Sequence, residues 1–322
     1  MHPTLGAATL LDRLAHRRGD AALLDRLRHA GEARFMVLVD GKPVIRSNPD
    51  RTVTRLAWHS PTELAVLGEA LEHALFLGVE RPCGAGRFAL SLCGPEAERV
   101  LGVLTPAVDL RSLATQGVMP SDELSLAGQA KALFHWHEDN RCCGRCGAPT
   151  RPTDGGWKRA CTACGHVTFP RLDPVVIMLV SDGERCVLAH EPRFPERMYS
   201  TLAGFVEPGE DIAAAVRRET REEVGLEVVD VGFHSAQPWP FPHSLMLGCL
   251  ARARPAELIV DPTEIAHARW LTRAEVGSML DGTHPEGLWV PGPQAIAHWL
   301  IRAFAYCDPA TTNERPPPAT NR

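Results

Sequence analysis

The chain lacks any apolar run long enough to span a bilayer; the longest, VVIMLV at Val175 to Val180, is far too short for a membrane helix. Its start, MHPTLGAATLLDRLAHRR, has no basic opening and its apolar stretch breaks at Asp12, which argues against a secretory signal. Internal repeats are absent. An excess of positive charge is also missing: 34 Lys and Arg against 39 Asp and Glu leave a formal net charge of -5. That balance argues against a protein that coats nucleic acid, while leaving room for a local basic site. Ten cysteines are present, but not in the spacing of a disulfide framework. Four form two CxxC pairs, and Cys83, Cys93, Cys142, Cys186, Cys249 and Cys307 are scattered. A reducing cytoplasm, with metal on the paired cysteines and free thiols elsewhere, accounts for this usage most simply.

What is present is an ordinary globular composition, 44% hydrophobic and 23% charged over 322 residues, with room for two domains and a small insert. Residues 1–137 carry no chemical signature and read as a mixed α/β scaffold or dimerisation domain. Thr9 to His29 has leucines interleaved with charge and predicts one or two amphipathic helices. RFMVLVDGKPVIR, from Arg34 to Arg46, predicts a hairpin around Asp40-Gly41. Strands are predicted near Thr52 to Trp58, Ala74 to Val79 and Arg87 to Leu92, and a helix over Asp122 to His137.

Residues 138–170 differ in texture. Cys143-Gly-Arg-Cys146 and Cys161-Thr-Ala-Cys164 are separated by fourteen residues, the layout of two knuckles that place four thiolates around one tetrahedral Zn²⁺. Four protein ligands close the site, so the zinc, one per chain, is structural. Gly144, Gly147 and Gly165 stand where the knuckle turns need permissive backbone. A redox CxxC would explain only half of these cysteines.

From 171 to 308 the pattern is that of mixed strands and helices, an α/β/α sandwich. Strands are expected at Val175 to Val180, Cys186 to His190, Glu227 to His234, Leu245 to Ala253 and His267 to Thr272. Helices are expected at Arg273 to Leu280 and Gln294 to Ala305. The tail, 309–322, is proline-rich and polar and is expected to be disordered. Between the strands lies GFVEPGEDIAAAVRRETREEVGL, Gly204 to Leu226. Its opening through Gly209 reads as a loop, followed by a helix capped by Asp211 and ended by Gly225. Glu219, Glu222 and Glu223 fall at i, i+3 and i+4, so their carboxylates share one helix face. A hard divalent cation such as Mg²⁺ would neutralise them and bridge to phosphate.

The stretch resembles the Nudix box, GX5EX7REUXEEXGU, in every fixed residue, with Thr220 where the first bulky aliphatic stands. The resemblance implies the α/β/α fold over residues 171–308 and hydrolysis of nucleoside diphosphates linked to a second moiety. It implies Mg²⁺ or Mn²⁺ held by Glu219, Glu222 and Glu223 with the Ala203 carbonyl. Glu223 is implied as the base, with Glu222 as the alternative, and Arg218 as a residue that orients Glu210 or Glu219.

Downstream, Gln237-Pro238-Trp239-Pro240-Phe241-Pro242-His243-Ser244 alternates proline with aromatics. Three prolines predict a stiff, extended segment on which a flat ring can dock with little entropy loss. Gln237 and Ser244 offer hydrogen bonds, and Trp239 and Phe241 offer stacking faces. Aromatics that merely fill core are the competing explanation. The segment is similar to the SQPWPFPXS signature of NADH pyrophosphatases within the Nudix family, with Ala236 replacing its serine. That resemblance covers nearly the whole chain. It implies a metal-binding role for Glu264, dinucleotide contacts at Phe169 and Ala297, and a substrate contact at Arg111. It further implies a homodimer that cleaves NADH or NAD⁺ to nicotinamide mononucleotide and AMP and removes the NAD cap from RNA. An ADP-ribose or nucleotide-sugar pyrophosphatase is one alternative. A nucleic-acid-binding regulator, with the zinc ribbon as reader and the Nudix domain as ligand sensor, is another.

Overall fold

The structure, a computed structural model, describes residues 11–50, 52–102 and 106–306. The tail expected at 309–322, Cys307, and Thr9 and Leu10 of the first expected helix lie outside the described residues. The chain divides into two compact units, one of residues 173–237 and 245–306, the other of residues 11–172 and 238–244 among those described. No helix among the described residues is long and apolar enough to cross a membrane.

The second of these units begins with a short strand β1 (Leu11–Asp12), a 3-10 turn at Ala15–Arg17 and helix α1 (Ala21–His29). The amphipathic helix thus starts later than its leucines suggest, where Asp20 accepts from the Leu23 backbone N–H and caps it. The hairpin follows as β2 (Arg34–Val39) and β3 (Lys42–Pro43), with Asp40 and Gly41 both at positive φ, as a two-residue turn of this kind requires. Then come β4 (Ile45–Ser47), β5 (Thr54–Leu56), β6 (Trp58–His59), a 3-10 segment at Ala65–His73, β7 (Leu75–Glu80) and β8 (Gly86–Leu92). Helices α2 (Gly94–Leu101), α3 (Leu110–Gln116) and α4 (Ser121–Asp139) complete this part. The sheet runs β1-β7-β8-β2-β3 with β6 also on β2, and β2 pairs β8 in parallel. One face buries Phe35, Phe76 and Phe88; the other packs Met36, Leu38 and Leu77 with Leu126, Ala130 and Leu133 of α4.

The small sheet β9 (Thr150–Thr153), β10 (Lys158–Cys161) and β11 (Val167–Thr168) carries the cysteine knuckles. It is fastened within its unit at three points. Trp157 Nε1 donates to the Phe76 carbonyl at 2.7 Å, His137 Nε2 meets the Gly156 carbonyl at 2.8 Å, and Arg159 Nη1 meets His137 Nδ1 at 2.8 Å.

The other unit is built on β12 (Asp173–Ser181), whose residues 175–180 are all buried. Val176, Met178 and Val180 face Ala215, Val216 and Val224, while Ile177 and Leu179 face Val276, Met279, Leu300 and Ile301. A strand covered on both sides reads as a continuous apolar run, and the alternation shows two helix layers, as an α/β/α sandwich requires. Around it lie β13 (Arg185–His190), β14 (Leu202–Phe205), helix α5 (Ile212–Val224), β15 (Val228–Trp239), β16 (Ser244–Ala253), β17 (His267–Thr272), α6 (Arg273–Leu280) and α7 (Ile296–Tyr306). The sheet order is β15-β16-β12-β13-β17, with β14 paired to β12. The loop expected from Gly204 therefore begins later: Gly204 lies in a strand, opposite Val176.

Candidate active site

Helix α5 forms as its sequence dictates. Asp211 accepts from the Ala214 N–H at 2.8 Å, and Gly225 ends the helix at φ 72°. The same glycine lets the chain pass close by, since a Cβ there would lie 2.9 Å from Ile259 Cβ. Backbone bonds from Ile259 N to Val224 O and from Asp261 N to Glu223 O, both 3.1 Å, lash the segment after β16 to the helix end. Asp261 then receives the Thr263 N–H and hydroxyl and closes a turn that presents Glu264. The result is a group of three carboxylates: oxygens of Glu219, Glu223 and Glu264 lie within 4.8 Å of one another. Glu219 and Glu223 are buried, and Glu264 is exposed. Glu222 stays outside this group, on the exposed side of the helix, where it accepts from Arg218 at 3.0 Å.

Arg218 ties the surroundings together. It makes a bidentate pair with Glu210 (2.7 and 2.9 Å) and also donates to Glu219 at 2.8 Å and to the Phe205 carbonyl at 2.8 Å. The pairing holds the Glu210 carboxyl down at about 2. Glu223 has the opposite environment. Burial, then the charges of Glu219, Glu264 and Glu191, push it up to about 8, while the Ala203 backbone N–H partly favours the ionised form. Its Oε2 is buried with no hydrogen-bond partner among the described residues. An unpartnered buried carboxylate oxygen facing two further carboxylates is the donor set of a hard divalent cation, and these residues fit one.

The cysteines also fit their metal. Sγ–Sγ distances are 3.5 Å for Cys146 to Cys161, 3.5 Å for Cys146 to Cys164 and 3.8 Å for Cys143 to Cys164. Four sulfurs about 2.3 Å from a central ion stand about 3.8 Å apart. Backbone N–H groups of Cys164 and Ala163 point at Cys161 Sγ and lower its pKa to about 6, favouring the thiolate. Of the three knuckle glycines, Gly147 and Gly165 take positive φ; Gly144 does not, because the first turn closes at Gly147.

The proline-aromatic segment is only half extended. Strand β15 carries it to Trp239, and Pro240 to His243 then turn into β16. Gln237 is fully buried. Its amide donates to the Gln294 carbonyl and accepts from the Ile296 N–H, both at 2.8 Å, so it holds the start of α7 and has little left for a ligand. Ala297, one residue on, is buried in the core. Trp239 and Phe241 pack edge to face at 5.1 Å, and the Arg111 guanidinium sits 4.6 Å from the Phe241 ring centre and 5.7 Å from that of Trp239. Pro240 is buried against Gly128 of α4, where a Cβ would come 2.7 Å from its Cγ. Pro238 and Pro242 are exposed, His243 stacks obliquely near His135, Ser244 opens β16, and Phe169 is 63% exposed.

Three residues in the two units escape a reading of the sequence. Phe205, 59% exposed, follows Gly204 and lends its carbonyl to Arg218; an aromatic inside the glycine stretch was its signal. Gly128, a lone glycine in a helical stretch, marked the close approach of Pro240. Glu191 contributes its charge to Glu223 and had no signal at all.

Residues 171–291 match the NUDIX domain family. The chain belongs to the Nudix superfamily. Residues 138–169 match the NADH pyrophosphatase zinc ribbon domain, and 32–136 match the NADH pyrophosphatase-like rudimentary NUDIX domain. The Nudix chain is 45% identical over 209 residues to NAD-capped RNA hydrolase NudC of Mycobacterium bovis, covering 63% of this chain and 66% of that one. It is 44% identical over 197 residues to NAD-capped RNA hydrolase NUDT12 of Macaca fascicularis, and 43% identical over 197 residues to the human protein of the same name. Each of these two matches covers 58% of this chain and 43% of the relative. The match thus spans less than two thirds of the length of these relatives.

Proposed function

We propose that this Nudix protein hydrolyses the diphosphate of NAD(H), releasing nicotinamide mononucleotide and AMP, and removes the NAD cap from RNA 5′ ends. The observation that carries the reading is the convergence of Glu219, Glu223 and Glu264 beside an Arg218 already neutralised by Glu210. The NAD-capped RNA hydrolase names of the relatives support the substrate class. Mg²⁺ or Mn²⁺, when bound by Glu219, Glu223 and Glu264 with the Ala203 carbonyl, supplies charge neutralisation of the diphosphate. Glu223 accepts the proton of the attacking water, with Glu222 as the alternative base; the water oxygen forms the new P–O bond as the bridging P–O bond breaks. Arg218 positions the carboxylates. Trp239 and Phe241, with Ser244 and Phe169, serve the nucleotide rings, and Arg111 steadies the aromatic pair. The reading includes a cytoplasmic homodimer, with the four-cysteine ribbon as a structural element.

The test is a product assay on NADH, NAD⁺, ADP-ribose and NAD-capped RNA in parallel, with and without Mg²⁺ or Mn²⁺. The expected result is metal-dependent release of nicotinamide mononucleotide from the NAD substrates in preference to cleavage of ADP-ribose. Preferential turnover of ADP-ribose would assign the chain to the nucleotide-sugar pyrophosphatases instead.

A further inference from the structure

A cavity of about 380 Å³ lies wholly within the unit of residues 11–172 and 238–244, where α1, the end of the 3-10 segment at Ala65–His73 and the turn after β9 meet. Its volume is that of a small-molecule site, yet no Phe, Tyr or Trp lines it among the described residues. Charged side chains of both signs line it instead. Most of these charges are matched. Arg28 pairs with Glu72 at 2.7 Å, Asp154 faces Lys158 at 3.6 Å, and His29 meets Asp25 at 3.2 Å and Glu72 at 3.1 Å. Arg18 is the exception. Its Nε donates to the Arg13 carbonyl at 3.3 Å and its guanidinium lies 3.6 Å from the centre of the Trp157 ring, but it makes no ion pair among the described residues. Burial and the Arg13 charge lower its pKa to about 10, the mark of a cation that lacks a counter-charge. Two further groups on the cavity wall are unsatisfied: Arg28 Nε and Thr153 Oγ1 are buried with no hydrogen-bond partner among the described residues. A buried donor lacking an acceptor costs free energy unless a ligand supplies one.

We infer that this cavity binds a small phosphorylated polyol, a sugar phosphate, with the phosphate on Arg18 and the Thr153 hydroxyl, a further oxygen on Arg28 Nε and the sugar hydroxyls toward Asp25. A guanidinium fork suits phosphate, and a carboxylate accepts hydrogen bonds from hydroxyl groups. The mixed lining therefore fits a ligand with an anionic end and a hydroxylated body better than a bare anion. A nucleobase, which stacks on a flat apolar ring, finds no such wall here. The inference goes beyond the proposed hydrolysis and stands without it, because the cavity shares no residue with the carboxylate group or with the proline-aromatic turn.

The test is titration calorimetry on the full chain, without divalent cation, with glucose 6-phosphate, glucose and inorganic phosphate as probes. Wild type is compared with Arg18→Gln, Thr153→Val and Asp25→Ala. The expected result is glucose 6-phosphate binding that Arg18→Gln and Thr153→Val each weaken about tenfold. Glucose should not bind, and inorganic phosphate should bind about tenfold more weakly than the sugar phosphate. Asp25→Ala should weaken glucose 6-phosphate and leave inorganic phosphate unchanged. Thr153→Val keeps the side-chain shape, so it tests the site even where Arg18→Gln loses its packing on Trp157 and fails to fold. No binding of glucose 6-phosphate to wild type, or wild-type affinity in a folded Arg18→Gln or Thr153→Val protein, overturns the inference. Inorganic phosphate binding as tightly as glucose 6-phosphate would mean an adventitious ion only and would also overturn it. Since hydrolysis is assayed separately, a chain that fails to cleave NADH but binds glucose 6-phosphate in this pattern leaves the cavity assignment intact.

Discussion

Gly204 of β14 lies directly against Glu219 of α5: a Cβ at position 204 would overlap the Glu219 carboxyl group. The glycine that opens the box thus has a steric role. The strand must offer a side-chain-free surface for the helix to seat its buried carboxylate, and only glycine offers one.

Gly204→Ala should therefore displace Glu219 while leaving β14 paired. Hydrolysis is expected to fall on the order of 10²-fold or more, because a displacement of about 1 Å in a catalytic group has that effect. Steady-state kinetics beside circular dichroism would check it; a variant with wild-type turnover would show that the contact does not matter.

Thr220 stands where the box has an aliphatic residue, is fully buried, and leaves its Oγ1 without a hydrogen-bond partner among the described residues. Thr220→Val keeps the shape and removes the stranded hydroxyl. It should stabilise the fold by about 1 kcal/mol, read from denaturant midpoints at unchanged slope. A loss of stability would mean the hydroxyl has a partner in solution.

Glu223 gives the metal site a pH signature. Its folded pKa, raised to about 8 by burial and its carboxylate neighbours, exceeds the ordinary value of 4.5, so between these the folded state holds the extra proton. Metal-free stability from this group is present below about 4.5 and is lost as pH rises through 8. Added Mg²⁺ should raise the melting temperature more at pH 8.5 than at pH 6, where roughly one proton must also be released on binding. A magnesium effect independent of pH would contradict this assignment.

His137 works the other way. It is buried and receives Arg159, and both facts favour the neutral ring, lowering its pKa to about 4. The folded value lies below the unfolded 6.5, so the stabilisation is complete above 6.5 and is lost as pH falls through 4. The loss should reach roughly 3 kcal/mol and be absent in a folded His137→Gln variant, whose amide can still meet Gly156. Thermal melts between pH 7 and pH 4 would measure it; identical acid sensitivity in both proteins would clear His137 of the role.

The parts of this molecule legible in the sequence are those fixed by local rules. Asp211, Gly225 and the apolar spacing between them define α5, and Val175 to Val180 declare a strand buried on both faces. Gly204 misled because glycine signals a turn locally, whereas here a distant carboxylate demands it. Helices α2 and α3 and the 3-10 segment at Ala65–His73 are only 8, 7 and 9 residues long, too short to be stable alone, so their form comes from packing. The relation of 32–136 to a rudimentary NUDIX domain was hidden for a chemical reason, since that segment lacks the glutamate pattern that marks the box. Gln237 looked free to meet a ligand, and only the fold shows its amide spent on Gln294 and Ile296.

The most direct measurement of the central claim is release of nicotinamide mononucleotide from NADH by Glu219→Ala and Glu223→Gln, beside the melting temperature of each metal-free protein. Turnover is expected to fall by about 10²-fold or more in both variants, with melting temperatures at pH 8.5, where the Glu223 carboxyl is also ionised, equal to or above wild type because a buried charge has been removed. Wild-type turnover in either folded variant would contradict the claim that these carboxylates cleave the diphosphate.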